Sequence, residues 1–357
     1  MEKIKVELTK HPKQKPQNES ELGFGSVFSD HMFLMDYKEG KGWHNPRIVP
    51  YGNLSLDPAA MCLHYGQLVF EGMKAYRTPN GGINLFRPDE NFKRMNLSNE
   101  RLCIPKIDEA FCVEAVKKLV EIDKEWVPSA PNTSLYVRPF ILCNEANLGV
   151  KTGEEYIFAI ITSPSGPYYP EGLDPVKIYV EPKYVRTVRG GTGMAKTAGN
   201  YAASLIAGEE AHKEGYSQVL WLDGVEQKYV EEVGSMNIFF VIGDEIVTPD
   251  LTSGSILGGI TRKSMIEILK KDGYRVSERK ISMDEVAHAY DEGNLREVFG
   301  TGTAAVISPV GTLKYNDKVM QINHNEIGPI SQYLYDTLTD MQWGRKPAPQ
   351  GWIVKVC

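Results

Sequence analysis

The chain has 357 residues, 42% hydrophobic and 24% charged, with a formal net charge of −6. This is the composition of a folded globular protein with room for about two domains. It argues against non-specific binding to nucleic acid or to an anionic membrane surface, but not against local sites for small anions.

The opening MEKIKVELTK has no apolar segment of the kind that begins a secretory signal, and no apolar run nears the ~20 residues of a membrane helix. The five cysteines (Cys62, Cys103, Cys112, Cys143 and Cys357) are odd in number and contain no C-x-x-C pair. The seven histidines show no zinc-type spacing. A reducing, cytoplasmic setting with free thiols and no metal site is expected.

In chain order, HMFLMDY (31–37) reads as a strand and INLFR (83–87) as a shorter one. Residues 89–101 have helical spacing through Phe92, Met95 and Leu97. Residues 110–127 form a second helix with Val113, Val116, Leu119, Val120 and Ile122 as its apolar stripe. SLYVRPFIL and YIFAIITS follow as buried strands. The segment PSGPYYPEGLDP (164–175) is rich in proline and glycine, which favours turns and extended chain. It divides the sequence into a small N-terminal domain (1–165), a linker (166–175) and a larger C-terminal domain (176–357).

In the second half, VKIYVEP and VLWLD read as strands, and residues 201–214 as a helix closed by Gly215. NIFFVIGDEIVTP reads as a hairpin turning at Gly243-Asp244. Thr261 is the expected N-cap of a helix through Lys271, closed by Gly273. REVFGTGTAAVISPV is a strand entering a Gly/Thr turn. The fold class is α+β, without the strict β-α-β rhythm of a doubly wound sheet.

One motif raises a chemical question. GGTGMAKT (190–197) departs from a phosphate-binding P-loop, G-x-x-x-x-G-K-[ST], at one position: Ala195 replaces the second glycine. The preceding YVRTVRGG carries Arg186 and Arg189 and makes a poor buried strand. Only Asp223, ending VLWLD as a Mg²⁺ ligand would, favours a nucleotide binder. A pyridoxal phosphate enzyme makes fuller use of the same residues. It needs a Schiff-base lysine, a partner for the pyridine nitrogen and a phosphate site of helix N-termini and arginine. Lys196 supplies the first. Glu231 and Glu232 in YVEEVGSMN, facing opposite sides of a strand, place one carboxylate inward for the second. SILGGIT (255–261), GTGT (300–303) and Arg94 are candidates for the third.

These segments in this order resemble the branched-chain amino acid aminotransferases, pyridoxal phosphate enzymes of the two-domain fold-type IV architecture. The resemblance runs from about Gly23 to Pro309 through FGSVFSDHM, HYGQLVFEGMKAY, RPDENFKRM, SLYVRP, the MAKTAGNY block, EEVGSMNIFF, SILGGITRKS and FGTGTAAVISPV. It implies that Lys196 bears the Schiff base and shuttles the proton, that Glu232 meets the pyridine nitrogen, and that Tyr201 bonds the cofactor's phenolic oxygen. Arg94, Ile260, Thr261 and Thr303 are implied to hold the phosphate. Phe24, Tyr65, Phe70, Tyr136, Tyr168 and Ser235 match pocket-lining positions, Thr303 and Ala304 the groups that meet the substrate carboxylate, and Arg138 the receiver of the glutamate side-chain carboxylate. Leu148 and Val150 match a loop that enters the neighbouring subunit of a homodimer. The implied partners are branched-chain amino acids, 2-oxo acids and 2-oxoglutarate, exchanged by a ping-pong mechanism. Ala305 and Ser308 stand where some mammalian members carry a redox C-x-x-C, so thiol regulation of that kind is not expected. The rival readings are a D-amino acid aminotransferase or aminodeoxychorismate lyase of the same fold, or a degenerate P-loop protein.

Overall fold

The computed structural model describes residues 2–166 and 172–357. Two units emerge from the contacts among these residues. The first holds the chain through residue 166 together with 195–198 and 339–357; the second holds 172–194 and 199–338. Two returns to the first unit, at the lysine motif and at the C-terminus, have no counterpart in a division drawn along the sequence.

The first unit is built on a sheet of nine described strands. Its order is Lys5–Val6, Gly42–Pro50, His31–Lys38, Glu155–Ser165, Ser134–Cys143, Met73–Arg77, Ile83–Phe86 and Ile353–Lys355, with Leu68–Phe70 also paired to Ser134–Cys143. All pairs are antiparallel except Lys5–Val6 with Gly42–Pro50. The helices Pro88–Arg101 and Glu109–Ile122 contribute Phe92, Met95, Val116 and Leu119 to a core shared with Phe33, Val137 and Phe158. Each helix has a local start signal. Pro88 occupies the first turn, where its missing N–H costs nothing. Asp108 caps the second helix by accepting from Phe111 N at 3.0 Å.

The second unit carries another sheet of nine described strands, ordered Val230–Val233, Gln218–Leu222, Val176–Val180, Val306–Tyr315, Leu295–Gly302, Asn237–Ile242, Glu245–Thr248 and Arg275–Glu278, with Lys318–Gln321 paired to Val306–Tyr315. Parallel and antiparallel pairs are mixed. Its core joins Ile178, Leu220, Ile238, Phe240, Val286 and Leu313. The hairpin turns at Gly243, whose φ of 59° lies in the left-handed region. Among the described residues, no helix is long and apolar enough to cross a membrane.

Four elements differ from the sequence expectation. The helix begun near residue 110 stops at Ile122, because Asp123 is taken by His31: its carboxylate accepts the His31 N–H at 3.0 Å and lies 2.7 Å from Nδ1. The expected helix 201–214 is two pieces, Ala198–Ala202 and Leu205–Lys213. At the break the Ser204 hydroxyl donates to Tyr201 O at 2.7 Å, a local bond that competes with the helical ladder. Thr261 is not an N-cap. The helix is Ile260–Lys271, preceded by Gly259 with no side-chain cap. Finally, the GTGT segment is not a helix-leading turn. Gly300 to Gly302 complete a strand, and the turn comes after it, at 303–305.

Candidate active site

The lysine motif enters the first unit as an added extended segment. Val69 and Thr197 form an antiparallel bridge. Phe70 N donates to Lys196 O at 3.0 Å, and Thr197 Oγ1 donates to Leu68 O at 2.7 Å. From the helix side, Ser98 Oγ accepts from Lys196 N at 2.9 Å. With backbone and neighbours pinned on both sides, the Lys196 side chain is directed rather than free. Its ammonium lies 4.8 Å from the centre of the Phe70 ring. Burial, reinforced by Arg94 and Arg138 and opposed by Glu71 and Tyr136, pushes its pKa down to about 8. A much larger share of its amine is neutral near pH 8 than in an ordinary lysine, and a neutral amine is the form that attacks a carbonyl.

Around it stand several residues expected from the sequence. Arg138 lies 4.9 Å from the Phe70 ring centre and donates through Nη2 to Tyr136 Oη at 3.1 Å. Among the described residues, its buried Nε has no hydrogen-bond partner. Phe24 meets Tyr136 edge-on at 4.9 Å. Gly72 lets the Tyr136 hydroxyl approach, since a Cβ there would sit 2.0 Å from it. Arg94 forms a two-point ion pair with Glu71, Nε to Oε1 and Nη2 to Oε2, each at 2.8 Å.

Glu71 was not singled out by sequence reasoning, although a glutamate inside the apolar run LVFEGM was a legible signal. It is fully buried. Burial works against its charge, but Arg94, Lys196 and the Asn91 amide outweigh it and hold the pKa below the ordinary carboxylate value. Lys74, cross-strand from Tyr136, was also missed. It is buried, and burial pushes its pKa down to about 8.

Tyr65, Leu148 and Val150 form a separate group in this unit. Tyr65 Oη donates to Leu148 O, and the two aliphatic side chains are 67% and 83% exposed. Tyr168 lies outside the described residues.

In the second unit, Glu232 is 2% exposed. Its Oε1 accepts from Leu257 N at 2.6 Å and lies 3.3 Å from Arg186 Nη2. The same Arg186 nitrogen donates to Ser255 O at 2.6 Å, and Thr187 Oγ1 donates there too, at 2.7 Å. Asn237 Nδ2 donates to Leu257 O at 2.9 Å. The loop 255–259 is thus tied down from its side. A Cβ on Gly259 would fall 2.0 Å from Asn237 Oδ1, which explains the glycine at the cap position. The helix it leads into starts with N–H groups that no side chain caps, the arrangement that favours an anion. Ile260 and Thr261, both buried, are its first two residues. Tyr201 is half-buried in the short helix Ala198–Ala202. Ser235 is exposed on the turn after Val230–Val233, and Thr303 and Ala304 are half-buried on the turn at 303–305.

The expectation that Glu231 and Glu232 face opposite sides is corrected. Both are buried. The register runs Val230 to Leu222 and Glu232 to Trp221, so Glu231 has no cross-strand partner and forms a bulge. A bulge breaks the alternation of side chains, and both carboxylates reach the same loop. Arg186, read from the sequence only as a reason to doubt a strand, proved to be their shared cation.

A P-loop fails on this geometry. No strand leads directly into Gly190: residues 181–189 are loop and turn, and the strand before them ends at Val180. The Asp223 carboxylate accepts from the backbone N–H groups of Val225, Glu226, Lys228 and Tyr229, so it closes a turn.

A family model described as amino-transferase class IV matches residues 68–313, which include the lysine segment, Glu71, Glu231 and Glu232. The chain belongs to the class IV aminotransferases. This aminotransferase is 58% identical to branched-chain-amino-acid aminotransferase 2 of Bacillus subtilis (strain 168) over 353 residues, covering 99% of this chain and 97% of that protein. It is 56% identical to branched-chain-amino-acid transaminase 1 of the same strain over 354 residues, 99% of each chain. Its structure is similar to the crystal structure of the Escherichia coli branched-chain amino acid aminotransferase, with a TM-score of 0.77, 27% identity, and 92% of this chain and 99% of that one covered. It also matches the T.th. branched-chain amino acid aminotransferase complexed with N-(5′-phosphopyridoxyl)-L-glutamate, with a TM-score of 0.73, 28% identity, and 90% and 98% coverage. The α+β architecture of this aminotransferase is that of fold type IV.

Proposed function

We propose that this aminotransferase moves the amino group between branched-chain L-amino acids (leucine, isoleucine, valine) and 2-oxoglutarate, by a ping-pong mechanism with pyridoxal 5′-phosphate as its cofactor. The residues present fit that group: a lysine amine lowered to about 8, an arginine fixed by a buried carboxylate, an uncapped helix N-terminus behind two glycines, and a buried glutamate. When bound, the cofactor supplies an aldehyde that captures amino groups and a ring that withdraws electrons.

The chain's own residues do the rest. Lys196 Nζ would hold the cofactor covalently, and its amine would take the proton from the substrate Cα and give it back. Glu232 would face the pyridine nitrogen, and Tyr201 the phenolic oxygen. Arg94, oriented by Glu71, and Ile260, Thr261 and Thr303 are the residues that would hold the phosphate. Phe24, Phe70 and Tyr136 offer apolar surface to an aliphatic side chain and exclude water. Tyr65, Tyr168 and Ser235 complete the lining, and the turn at Thr303 and Ala304 meets the α-carboxylate. Arg138 receives the side-chain carboxylate of glutamate, and its buried, unpartnered Nε is the donor that such a carboxylate would satisfy. The exposed apolar Leu148 and Val150 enter a second copy, so the working unit is a homodimer, and the setting is cytoplasmic.

The observation that carries this reading is Lys196, its amine depressed against Phe70 beside the Arg94–Glu71 pair. The visible absorption of the purified protein tests it. A yellow band that L-leucine discharges and D-alanine leaves alone supports the reading. Discharge by D-alanine instead would transfer the protein to its D-specific relatives.

A further inference from the structure

Glu231 is the residue that the proposed mechanism leaves unused. It is 4% exposed, sits at the bulge of strand Val230–Val233, and directs its carboxyl at the loop before helix Ile260–Lys271. Ser255 Oγ donates to its Oε1, and Ser253 Oγ lies 2.7 Å from Ser255 Oγ. Its Oε2 is buried and has no hydrogen-bond partner among the described residues. Two residues later in the loop, Leu257 N binds Glu232. Successive carboxylates of one bulged strand therefore grip alternate residues of one loop, Ser255 by its side chain and Leu257 by its backbone. The strand lies at the end of its sheet, with Gln218–Leu222 as its neighbour in the order.

We propose that Glu231 is a positioning residue: through Ser255 it sets the loop that presents Glu232 and the first turn of helix Ile260–Lys271 to pyridoxal phosphate. This rests on the cofactor reading above. In a regular strand Glu231 and Glu232 would diverge, and only one carboxylate would reach the loop.

The surroundings dictate which form of Glu231 suits the fold. Burial raises its pKa to about 7; Ser255 and Arg186 oppose the rise, while Glu232 and Asp223 add to it. A small cavity beside it is lined also by Arg189, Lys280, Glu226 and Asp250, which bring both signs of charge. The neutral carboxyl fits best, because an ionised Oε2 would bury charge with no donor. The sign follows from linkage. A carboxylate whose folded pKa lies above its ordinary 4.5 binds its proton more tightly in the native state. Its contribution to stability is full below about pH 4.5 and is lost as pH rises through about 7.

The test compares wild type with Glu231→Gln and Glu231→Ala, measuring Tm from pH 5 to 8 and retention of pyridoxal phosphate after dialysis. Glutamine keeps the acceptor for Ser255 and cannot ionise. Its Tm relative to wild type should rise between pH 5 and 7 and then level off, with cofactor affinity within about twofold. Alanine removes the acceptor, and cofactor affinity should fall about tenfold, in line with one lost charge-adjacent hydrogen bond. If alanine retains the cofactor as wild type does, or if glutamine loses it as alanine does, the positioning role is overturned; a glutamine-minus-wild-type Tm difference that is flat with pH would overturn the neutral form of the carboxyl. If wild type itself binds no pyridoxal phosphate, the cofactor reading fails and takes the proposal with it; the Tm profile shows separately whether the carboxyl behaves as described.

Discussion

Glu71 and Glu231 are both buried glutamates on or beside strands, and their pKa values are moved in opposite directions. Glu71 is charged, with a pKa below the ordinary value, because Arg94 meets both its oxygens and Lys196 and Asn91 lie close. Glu231 has one hydroxyl donor and a cation, Arg186, that is shared with Glu232 and Ser255 O; burial raises its pKa to about 7. Burial pushes both carboxyls the same way, so the number and geometry of the donors decide the outcome. The first unit uses its charged carboxylate to orient Arg94 beside Lys196. The second uses a carboxyl poised near neutrality to hold a loop.

The largest expected effect comes from removing the lysine that faces Glu71. Lys196→Ala should abolish turnover while the protein still folds, since Arg94 remains to balance Glu71; steady-state activity in the variant would refute the assignment. Next is the pair itself. Glu71→Gln keeps the shape but leaves Arg94 without its counter-charge, and losing one partner of a buried ion pair costs about 3–5 kcal/mol. Denaturant unfolding should show that loss. Glu71 also raises the pKa of the free Lys196 amine, so the pH profile for capture of added pyridoxal phosphate by the cofactor-free variant should shift to lower pH. An unchanged stability and profile would erase the contrast with Glu231. Smaller and more selective is Arg138→Ala. It should weaken use of 2-oxoglutarate by about 10- to 100-fold, the value of one to two hydrogen bonds to a charged group, while 2-oxoisocaproate is little affected. Equal losses for both acids would remove the carboxylate-receiving role. The smallest effect is the pH-dependent one at Glu231, where glutamine and wild type should separate only as pH rises toward 7.

Much of the secondary structure was legible because it is written in local chemistry. Alternating residues marked the strand Val176–Val180, an apolar stripe marked the helix Glu109–Ile122, and Gly243-Asp244 marked its hairpin turn. At one place where local signals misled, a distant partner had intervened: Asp123 left the helix for His31. Lys196 and Glu232 were legible as chemistry, because an amine and a carboxylate among small and apolar residues are conspicuous in any sequence. Their surroundings were not.

The sequence by itself determined which segments alternate, which coil, and which reactive groups are available, since those depend on neighbours within a few residues. Only the tertiary structure decided that Thr197 pairs with Val69, that Glu71 meets Arg94, and that Arg186 reaches Ser255 and Glu232. These are contacts between residues 23 to 128 positions apart, chosen by the packing of whole sheets and helices. The state of each buried charge depends on them, because a pKa reports the donors and cations that folding brings within a few ångströms.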